Sequence, residues 1–474
     1  MSPARSTWVK YAGFLASVGG ARILGALLTA ITFPLVVRRL GVELYGIWSY
    51  VIAVCAFLEL IANPGLTSHA QQQVAARRTE ASSVVSDTLV LRAIFCGLVI
   101  ALIFALAAFE VRTDAARLLR FYGVSIALIN LTSTEYLLSS LELFHERSLI
   151  TVAQQALYAI GIVLMVRGPA DYMWVPGSIL ISALPTNLLG WVFVYRNGLR
   201  LRLGIHPERW WPILAPSGHY ALAASMSTIY HRAGHLLVRW FAGEHALGIY
   251  AVATRMVDFV RNFVTLGFTL MFPRIAKAGN SPAALRRLAR FSVAGIALVG
   301  FPLILGVLTT AGVLVPLVLG TQYTESAHLL PWLAAYIVVA PLAAFYSGTV
   351  LYALGLYRSY LISTAIGAGV GIVAYTALVP LAGIRGASIA FVLVELVVAL
   401  AAYRLAPAPA REVWDNDLLK VALTGSVAMG VLLLVAARFQ LSTVLTLIVG
   451  CLSYSVVCGW LTRKRIAAEM QRTD

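Results

Sequence analysis

The strongest constraint in this sequence is a succession of long apolar runs separated by short polar connectors. A transmembrane helix needs about 20 consecutive apolar residues. Of the 474 residues 60% are apolar and only 12% are charged, which is unlike the composition of a soluble domain. The runs predict an all-α polytopic membrane protein with about fourteen membrane-spanning helices, at residues 12–37, 44–62, 88–109, 119–141, 149–166, 173–195, 213–238, 246–272, 291–315, 329–353, 359–381, 385–403, 419–437 and 442–461.

The connectors exclude several classes of function. The longest polar interval runs from Arg196 to Pro212, which is too short for an appended catalytic or nucleic-acid-binding domain. The four cysteines lie inside apolar runs without a CxxC pair, so they are predicted to be inert buried thiols. We therefore expect no enzyme activity, no cofactor, no metal site and no nucleic-acid partner.

The basic residues predict the orientation in the membrane. The net charge is +16, and fourteen spans place both termini on one side. The connectors on the side of the termini hold 22 of the 36 Lys and Arg residues, those on the opposite side hold nine, and five lie within spans. Because cytoplasmic loops carry the excess of positive charge, both termini are predicted to be cytoplasmic.

Two cytoplasmic connectors are predicted to form helices on the membrane surface. The first covers Leu66 to Asp87. In the second, Ser281 can cap a helix and Pro282 suits its first position. Basic side chains then recur at helical spacing and can contact anionic headgroups, at Arg286, Arg287 and Arg290.

An internal repeat divides the chain. The pattern GxxxxGI[WY] begins at Gly41 and again at Gly243, and Arg147-Ser148 is matched by Arg358-Ser359. Duplicated halves are common in transporters. Six spans per half make the two halves parallel repeats, which predicts a six-helix bundle at 1–205, a second at 206–408, and accessory helices 13 and 14 with a basic cytoplasmic tail at 409–474.

Several motifs, taken in order, resemble one known family. They are Arg38-Arg39-Leu40-Gly41 to Tyr45-Gly46, the segment 248–253, Phe272-Pro273-Arg274, and the segment 380–390. Together they resemble the polysaccharide flippases of the multidrug/oligosaccharidyl-lipid/polysaccharide exporter superfamily, which include the O-antigen flippases of bacterial inner membranes.

The resemblance implies that the two bundles form a V around a central cavity that opens alternately to each side. It implies a cargo of polyprenyl-diphosphate-linked oligosaccharide, moved from the inner to the outer leaflet among membrane lipids. It also allows H+ or Na+ as a coupling ion and association with polysaccharide polymerase machinery. Relatives often carry an acidic residue in span seven, where this chain has His231, Arg232 and His235, so a carried-over cation site is in question.

Charges within the spans are the candidates for function. Each costs about 2.5–3.5 kcal/mol at the bilayer centre, so such groups usually face a cavity or a partner. They are Arg22, Glu59, Arg92, Glu135, Arg232, Arg255, Asp258, Arg261 and Glu395. Arg92 lies near a span end and is predicted to snorkel to the interface.

The predicted substrate site is cationic. A guanidinium can donate two hydrogen bonds to a phosphate at once, which favours a diphosphate site formed by Arg22, Arg232, Arg255 and Arg261. Charge balance or cation coupling is assigned to Asp258, His231, His235 and Glu59. Asp258 can pair with either neighbouring arginine and leave the other free for an anion. The alternative is a closed structural ion pair.

Other functions stay open on the sequence alone. A transporter of the same superfamily could carry a lipid-linked peptidoglycan precursor or a drug. Drug exporters typically have twelve spans and anionic sites, unlike the predicted cationic cavity. A membrane-embedded polymerase or ligase of lipid-linked sugars is disfavoured, because the outer connectors are only about ten residues long.

Overall fold

The computed structural model describes residues 3–76, 81–201, 207–265, 268–279, 281–413, 417–438, 445, 448–450 and 452–459. Within these ranges the chain is helical and has no strand. The helices are α1 Pro3–Ala62, α2 Leu66–Ala76, α3 Ala81–Phe109, α4 Thr113–Thr132, α5 Glu135–Ser140, α6 Phe144–Met165, α7 Trp174–Arg196, α8 Trp210–Thr265, α9 Phe268–Ala278, α10 Pro282–Leu319, α11 Thr324–Leu333, α12 Tyr336–Ala343, α13 Tyr357–Leu405, α14 Ala408–Arg411 and α15 Asp417–Arg438. The predicted basic tail lies outside the described residues.

The chain forms two compact units, residues 1–232 and 233–474. In the first unit α6 packs against α7 and α1, and α4 packs against α3, α1 and α7. In the second unit α10 packs against α15, α11 and α12, while α13 packs against α11 and α12. The boundary between the units falls within α8. The predicted division into residues 1–205, 206–408 and 409–474 stays a prediction.

Two of the longest helices, α1 and α8, are each interrupted at a glycine. Gly41 has φ 77° and ψ 173° in α1, and Gly243 has φ 84° and ψ 179° in α8. These angles lie in a region almost confined to glycine, because a β-carbon there would clash with the backbone. Both glycines open the repeated motif, so its two copies share one local conformation.

Six described helices are long and apolar enough to cross a membrane, and the bent pair Thr321–Leu333 and Tyr336–Leu351 allows a seventh span. Some of these helices are too long for one crossing. The 49 residues of α13 would extend about 74 Å, whereas the hydrocarbon core is about 30 Å thick. This helix breaks at Ala382 and Gly383, between two predicted spans. The chain is a multi-pass membrane protein, and the count of fourteen spans stays a prediction.

Two predicted spans are not single straight helices. The span at 119–141 divides into α4 and α5, with residues 133 and 134 between them. The span at 329–353 corresponds to a pair of helices bent by 57°, and its second half continues from α12 into a π-helix at Ala344–Leu351.

The connectors differ from the prediction. The first forms the separate helix α2 over Leu66–Ala76, whereas the end of the predicted segment, from Ala81 to Asp87, belongs to α3. In the second, the Ser281 side chain accepts a hydrogen bond from the Ala284 amide and Pro282 begins the helix. The predicted surface segment is not a separate helix, because it forms the first turns of α10, which runs on to Leu319. Arg286 lies 2.7 Å from a carboxylate oxygen of Glu412, and Arg290 donates to the Glu412 carbonyl oxygen. Two of the three arginines predicted to face headgroups therefore hold the segment after α14.

Arg39 joins the end of α6 to α1. Its guanidinium donates to the carbonyl oxygens of Ile162 at 3.0 Å and Val163 at 3.2 Å, and also to that of Val166. The last carbonyl groups of a helix have no partner within the helix, and a cation near them is favourable. A side chain two residues before the repeated motif thus caps a neighbouring helix.

Candidate functional site

A polar cluster in the first unit combines three helices. Glu59 of α1 accepts a hydrogen bond from the side chain of Asn130 on α4, and the positive charge of Arg232 on α8 acts on it. Glu59 is exposed and Arg232 is half-buried. The charges of Glu59 and Arg232 also act on Tyr122. The ring centroid of Tyr122 lies 4.7 Å from that of Trp48. Glu59 and Arg232, two of the predicted site residues with opposite charges, are therefore brought together.

The second unit holds an ion pair on α8. The Nε atom of Arg261 lies 3.6 Å from Oδ1 of Asp258, and the hydroxyl of Tyr336 on α12 donates to the same oxygen at 2.6 Å. The Arg261 guanidinium lies 5.7 Å from the centre of the Tyr336 ring. Asp258 is thus held by a cation and a hydroxyl together.

Glu395 on α13 extends this cluster. It is 3% exposed, and the charges of Arg261 and Asp258 both act on it. One turn earlier, Phe391 packs on Tyr336 with ring centroids 4.5 Å apart. A second carboxyl group therefore lies within the electrostatic reach of the ion pair, on a different helix.

A pair of buried tyrosines lies beside this group. The hydroxyls of Tyr250 on α8 and Tyr375 on α13 are 3.0 Å apart, and the Tyr250 ring also packs against Phe391. The His235 ring lies 5.6 Å from the Tyr250 ring. Gly234 allows α8 to approach the Tyr375 side chain closely, because a β-carbon at this position would lie 2.4 Å from Cζ of Tyr375. His235 thus joins the second cluster through Tyr250.

The remaining predicted residues are separate. Arg255 is exposed and makes no ion pair or hydrogen bond with the described residues, so Asp258 pairs with Arg261 and leaves Arg255 open. His231 is half-buried and its ring lies 3.9 Å from that of Tyr230. The side chain of Arg22 lies outside the described residues. Among the described residues no group of His, Cys, Asp and Glu could hold a metal ion.

Arg92 is placed differently from the prediction, and Glu135 has a charged partner. Arg92 does not snorkel, because its side chain is fully buried and its guanidinium stacks 5.5 Å from the centre of the Tyr136 ring. The aromatic face offers a cation a favourable surface inside the protein. Glu135 is exposed and pairs with Arg147, which is the kind of partner expected for a charged residue within a span.

The first unit holds an apolar groove. Its volume is about 440 Å³, and it is lined by Leu89, Val90, Ala93, Leu131, Thr132, Leu188, Trp191 and Leu201. None of these side chains is charged. The groove suits a hydrocarbon chain better than a sugar or a phosphate.

Sequence reasoning missed most of the partners in the second cluster. The spacing of Asp258 and Arg261 indicates a pair on one helix. Nothing in the sequence connects that pair to Tyr336, and Tyr250 and Tyr375 are 125 residues apart. Glu395 stands out only as an acidic residue within an apolar run, which is the one signal that could have pointed to it.

Comparisons with known proteins place this architecture. A structure described as the lipid II flippase MurJ in an inward closed conformation matches with a TM-score of 0.74 and 13% identity, covering 96% of this chain and 99% of that one. An inward-facing multidrug resistance MATE family transporter of the MOP superfamily matches with a TM-score of 0.66 and 16% identity, over 80% and 93% of the two chains.

A third solved structure has a related fold. It is a MOP superfamily transporter from Pyrococcus furiosus, described as having a binding pocket of reversed polarity, with a TM-score of 0.57 and 16% identity, covering 83% of this chain and 94% of that one. A comparison with curated proteins yields no match.

The fold is therefore the multi-pass helical fold of these structures, which are described as a flippase and as transporters. The family model described as "Polysaccharide biosynthesis protein" matches residues 15–278, more than half of the chain. The chain belongs to this family, and the resemblance found in the sequence motifs is confirmed.

Proposed function

We propose that the chain is a flippase for a polyprenyl-diphosphate-linked oligosaccharide, the repeat unit of an O-antigen or of another surface polysaccharide. It moves this cargo from the inner to the outer leaflet of the bacterial inner membrane by alternating access, without a chemical step. Membership of a polysaccharide biosynthesis family supports the glycan. Likeness to a structure described as a lipid II flippase supports a lipid-linked cargo.

The observation that carries the proposal is the unequal pairing along α8. Asp258 is engaged by Arg261 and by the Tyr336 hydroxyl, while Arg255, one turn away, is exposed and unpaired among the described residues. An unpaired guanidinium offers five N–H donors in a planar fork. Phosphate oxygens accept from such a fork in a bidentate geometry. Arg255 is therefore assigned the first contact with the cargo diphosphate.

The other arginines have distinct roles in this proposal. Arg261, held against Asp258 and Tyr336, supplies a fixed positive charge instead of a mobile contact. Arg232 is partly balanced by Glu59, and its assignment to the diphosphate rests on the sequence pattern. Arg22 remains assigned to the diphosphate on the sequence pattern alone.

The direction of transport agrees with the charge of the cargo. A membrane potential that is negative in the cytoplasm favours outward movement of an anionic headgroup by about 2.3 kcal/mol per charge per 100 mV. The positive side chains offset the cost of moving phosphate away from water. The lipid tail can stay in the bilayer during the movement, so only the polar headgroup needs a path.

Coupling to H+ or Na+ is assigned to the carboxyl groups of the second unit. Glu395 is buried beside the pair of Asp258 and Arg261, and a bound cation there would shift the balance of charge around Arg261. His231, His235 and Glu59 keep their place as candidates for charge balance. A dependence of transport on an imposed pH or Na+ gradient, abolished by Glu395→Gln, would support this assignment, and an unchanged dependence would remove Glu395 from it.

A lipid-linked peptidoglycan precursor is the second candidate cargo. It is favoured by the extent of the MurJ match, which covers nearly all of both chains. Both cargoes present a diphosphate on a polyprenyl chain, so the arginines serve either. Discrimination therefore has to come from transport measurements with the two lipids side by side.

Reconstituted transport tests the role of the arginines. In proteoliposomes that contain the lipid-linked saccharide, Arg255→Ala removes charge-assisted hydrogen bonds of about 1.5–3 kcal/mol, which corresponds to a roughly tenfold to 150-fold loss of apparent affinity. Arg255→Lys keeps the charge without the bidentate geometry and should lose less. Arg287→Ala is the matched control, because Arg287 is also exposed and lies outside both clusters.

Two results would contradict the proposal. Wild-type rates in both Arg255→Ala and Arg261→Ala would remove these residues from the path of the cargo. Equal transport of a cationic drug and of the lipid-linked saccharide would replace the flippase assignment with a multidrug transporter. Membrane abundance measured in parallel separates a loss of function from a loss of folding.

A further inference from the structure

The apolar groove of the first unit is formed by parts of three helices. Its volume is about 440 Å³, which lies within the range of about 300–1,000 Å³ typical of ligand sites. The helix α3 contributes three of the lining residues, α4 and α7 contribute two each, and Leu201 follows α7. Residues that are far apart in the sequence therefore form one continuous apolar surface.

The polar side-chain groups in the wall of the groove are engaged within the protein. The Thr132 hydroxyl donates to the Leu128 carbonyl oxygen at 2.9 Å and accepts from the Asn187 side chain at 3.1 Å. The Trp191 indole donates to the Thr132 carbonyl oxygen at 2.9 Å. Because these donors already have acceptors, the groove offers hydrocarbon instead of hydrogen-bond donors to its occupant.

The groove is held in shape by the packing beneath it. Leu89 and Trp191 of its wall pack against a buried core cluster that includes Leu199. Gly190 lets α7 approach the segment that follows α4, because a β-carbon at this position would clash with the Thr134 hydroxyl. The groove is therefore preorganised, so an occupant does not have to pay for ordering its walls.

The helices around the groove expose apolar side chains to the membrane. Both α3 and α7 are long and apolar enough to cross a bilayer. Ile94 on α3 and Leu189 on α7 are exposed, and they adjoin Ala93 and Leu188 of the groove in the sequence. Exposed apolar surface of this kind is typical of membrane contact. Hydrocarbon chains of the bilayer therefore have direct access to the groove.

Basic side chains lie at one end of the groove. Arg196 is the last residue of α7, and Arg200 directly precedes Leu201 of the wall. Both arginines are exposed, and neither forms an ion pair with a described residue. The acid closest in sequence to the lining residues of α3 is Asp87, which is buried and lies 3.8 Å from the guanidinium of Arg209. The two arginines are therefore available to an anionic headgroup.

We propose that the groove binds an acyl chain of an anionic phospholipid, whose phosphate contacts Arg196 and Arg200. An apolar wall does not distinguish an acyl chain from a polyprenyl chain, and phospholipid is far more abundant in a bilayer, so mass action favours it. No arginine predicted to bind the cargo diphosphate is among the described lining residues. The site therefore does not depend on the identity of the cargo.

Quenching of Trp191 fluorescence by brominated lipid tests the site, because this side chain lines the groove. The full-length protein is placed in phosphatidylcholine nanodiscs with increasing shares of phosphatidylglycerol or of phosphatidylcholine whose acyl chains are brominated. Each form is also measured with Trp191→Phe, so that the difference reports Trp191 alone. We expect half-maximal quenching at a share of phosphatidylglycerol about fivefold to thirtyfold lower than that of phosphatidylcholine, as one or two arginines beside an anionic headgroup would give.

Two variants separate the chain from the headgroup. Ala93→Phe fills the groove and should reduce the quenching of Trp191 by both lipids, whereas Ala101→Phe is the matched control, since Ala101 is also exposed on α3 but does not line the groove. The double variant Arg196→Gln and Arg200→Gln keeps the groove and should lose only the preference for phosphatidylglycerol. Its residues are exposed, so it should fold as the wild type does. Arg287→Gln, an exposed arginine of the second unit, should keep the preference.

Four results would overturn the proposal. The first is equal half-maximal shares of the two brominated lipids with the wild-type chain. The second is wild-type quenching in Ala93→Phe, because the groove would then not hold the acyl chain. The third is a preference for phosphatidylglycerol that survives the loss of both Arg196 and Arg200. The fourth is relief of the quenching by a stoichiometric amount of polyprenyl phosphate, which would assign the groove to a polyprenyl chain instead.

Discussion

Replacement of Tyr336 by phenylalanine isolates one hydrogen bond of the second cluster. The change deletes the hydroxyl that donates to Asp258 at 2.6 Å. It keeps the ring that lies beneath Arg261 and against Phe391. The packing of the site is therefore retained, and only the polar contact to the carboxylate is removed.

The expected cost follows from the charge of the acceptor. A hydrogen bond to a charged group contributes about 1.5–3 kcal/mol, compared with about 1 kcal/mol for a neutral pair. Asp258 keeps a second partner, since Arg261 lies 3.6 Å away, so the carboxylate is not left alone. We expect the free energy of unfolding to fall by about 1.5–3 kcal/mol.

Reversible unfolding in mixed micelles, followed by tryptophan fluorescence, measures this change. A double-mutant cycle with Asp258→Asn apportions it to the pair, with an expected coupling energy of about 1.5–3 kcal/mol. Tyr195→Phe is the control, because that side chain is 62% exposed and its hydroxyl makes no hydrogen bond to a described residue, so its loss should change stability by less than about 0.5 kcal/mol.

A coupling energy near zero would refute the reasoning. It would mean that the Tyr336 hydroxyl and Asp258 contribute independently, so the carboxylate would not be fixed on Arg261 and Tyr336 as described. An equal cost for Tyr336→Phe and Tyr195→Phe would have the same consequence, because the hydrogen-bonded and the unbonded hydroxyl would then be indistinguishable.

Three further changes probe other parts of the fold. Gly243→Ala should lower the free energy of unfolding by about 1–3 kcal/mol, because φ 84° and ψ 179° strain any other residue. Gly295→Ala has open space around a β-carbon and should be neutral or slightly stabilising in unfolding measurements. Equal costs for the two variants would contradict the interpretation of the break at Gly243. Arg39→Gln should destabilise by about 1–3 kcal/mol by leaving the end of α6 uncapped, and an unchanged Tm would show that these bonds add nothing. Burial lowers the pKa of the His69 imidazole below its ordinary value of 6.5. The unfolded chain therefore binds the proton at a higher pH than the folded chain does, and stability should fall as the pH drops below about 6.5. His69→Gln should flatten this dependence, and an identical pH profile in the variant would exclude His69 as its source.

The sequence predicted the features that depend on local spacing. The repeated glycine motif marks the breaks of α1 and α8, because the required dihedral angles are available almost only to glycine. The interval of three residues between Asp258 and Arg261 indicates neighbours on a helix surface. Ser281 and Pro282 mark the start of α10 for the same kind of reason, since the cap and the first turn are set by adjacent residues.

The break between α4 and α5 could not be predicted in this way. The run at 119–141 has no proline to interrupt it. The freed carbonyl groups at the end of α4 are instead satisfied from α7: the Trp191 indole donates to the Thr132 carbonyl oxygen at 2.9 Å, and Asn187 donates to that of Ile129 at 3.4 Å. A break that is stabilised by a distant helix leaves no local signal.

The partners of the buried charges were equally hidden. Arg92 lies near the end of an apolar run, where snorkelling is the usual outcome, and only the position of Tyr136 on a neighbouring helix explains its burial. Glu395 and Tyr336 join the pair of Asp258 and Arg261 through the packing of α8, α12 and α13. Such contacts depend on tertiary packing, which the spacing of residues along one helix does not determine.

The distribution of lipid-linked repeat units between the two leaflets tests the central claim most directly. In cells that lack the gene, an impermeant reagent specific for the glycan should label far fewer repeat units in the outer leaflet, while the total pool of lipid-linked saccharide accumulates. Complementation with the wild-type chain should restore the labelling, and complementation with Arg255→Ala should restore only a small part of it at equal membrane abundance. Normal labelling in the absence of the protein would contradict the assignment of the chain as the flippase for this cargo.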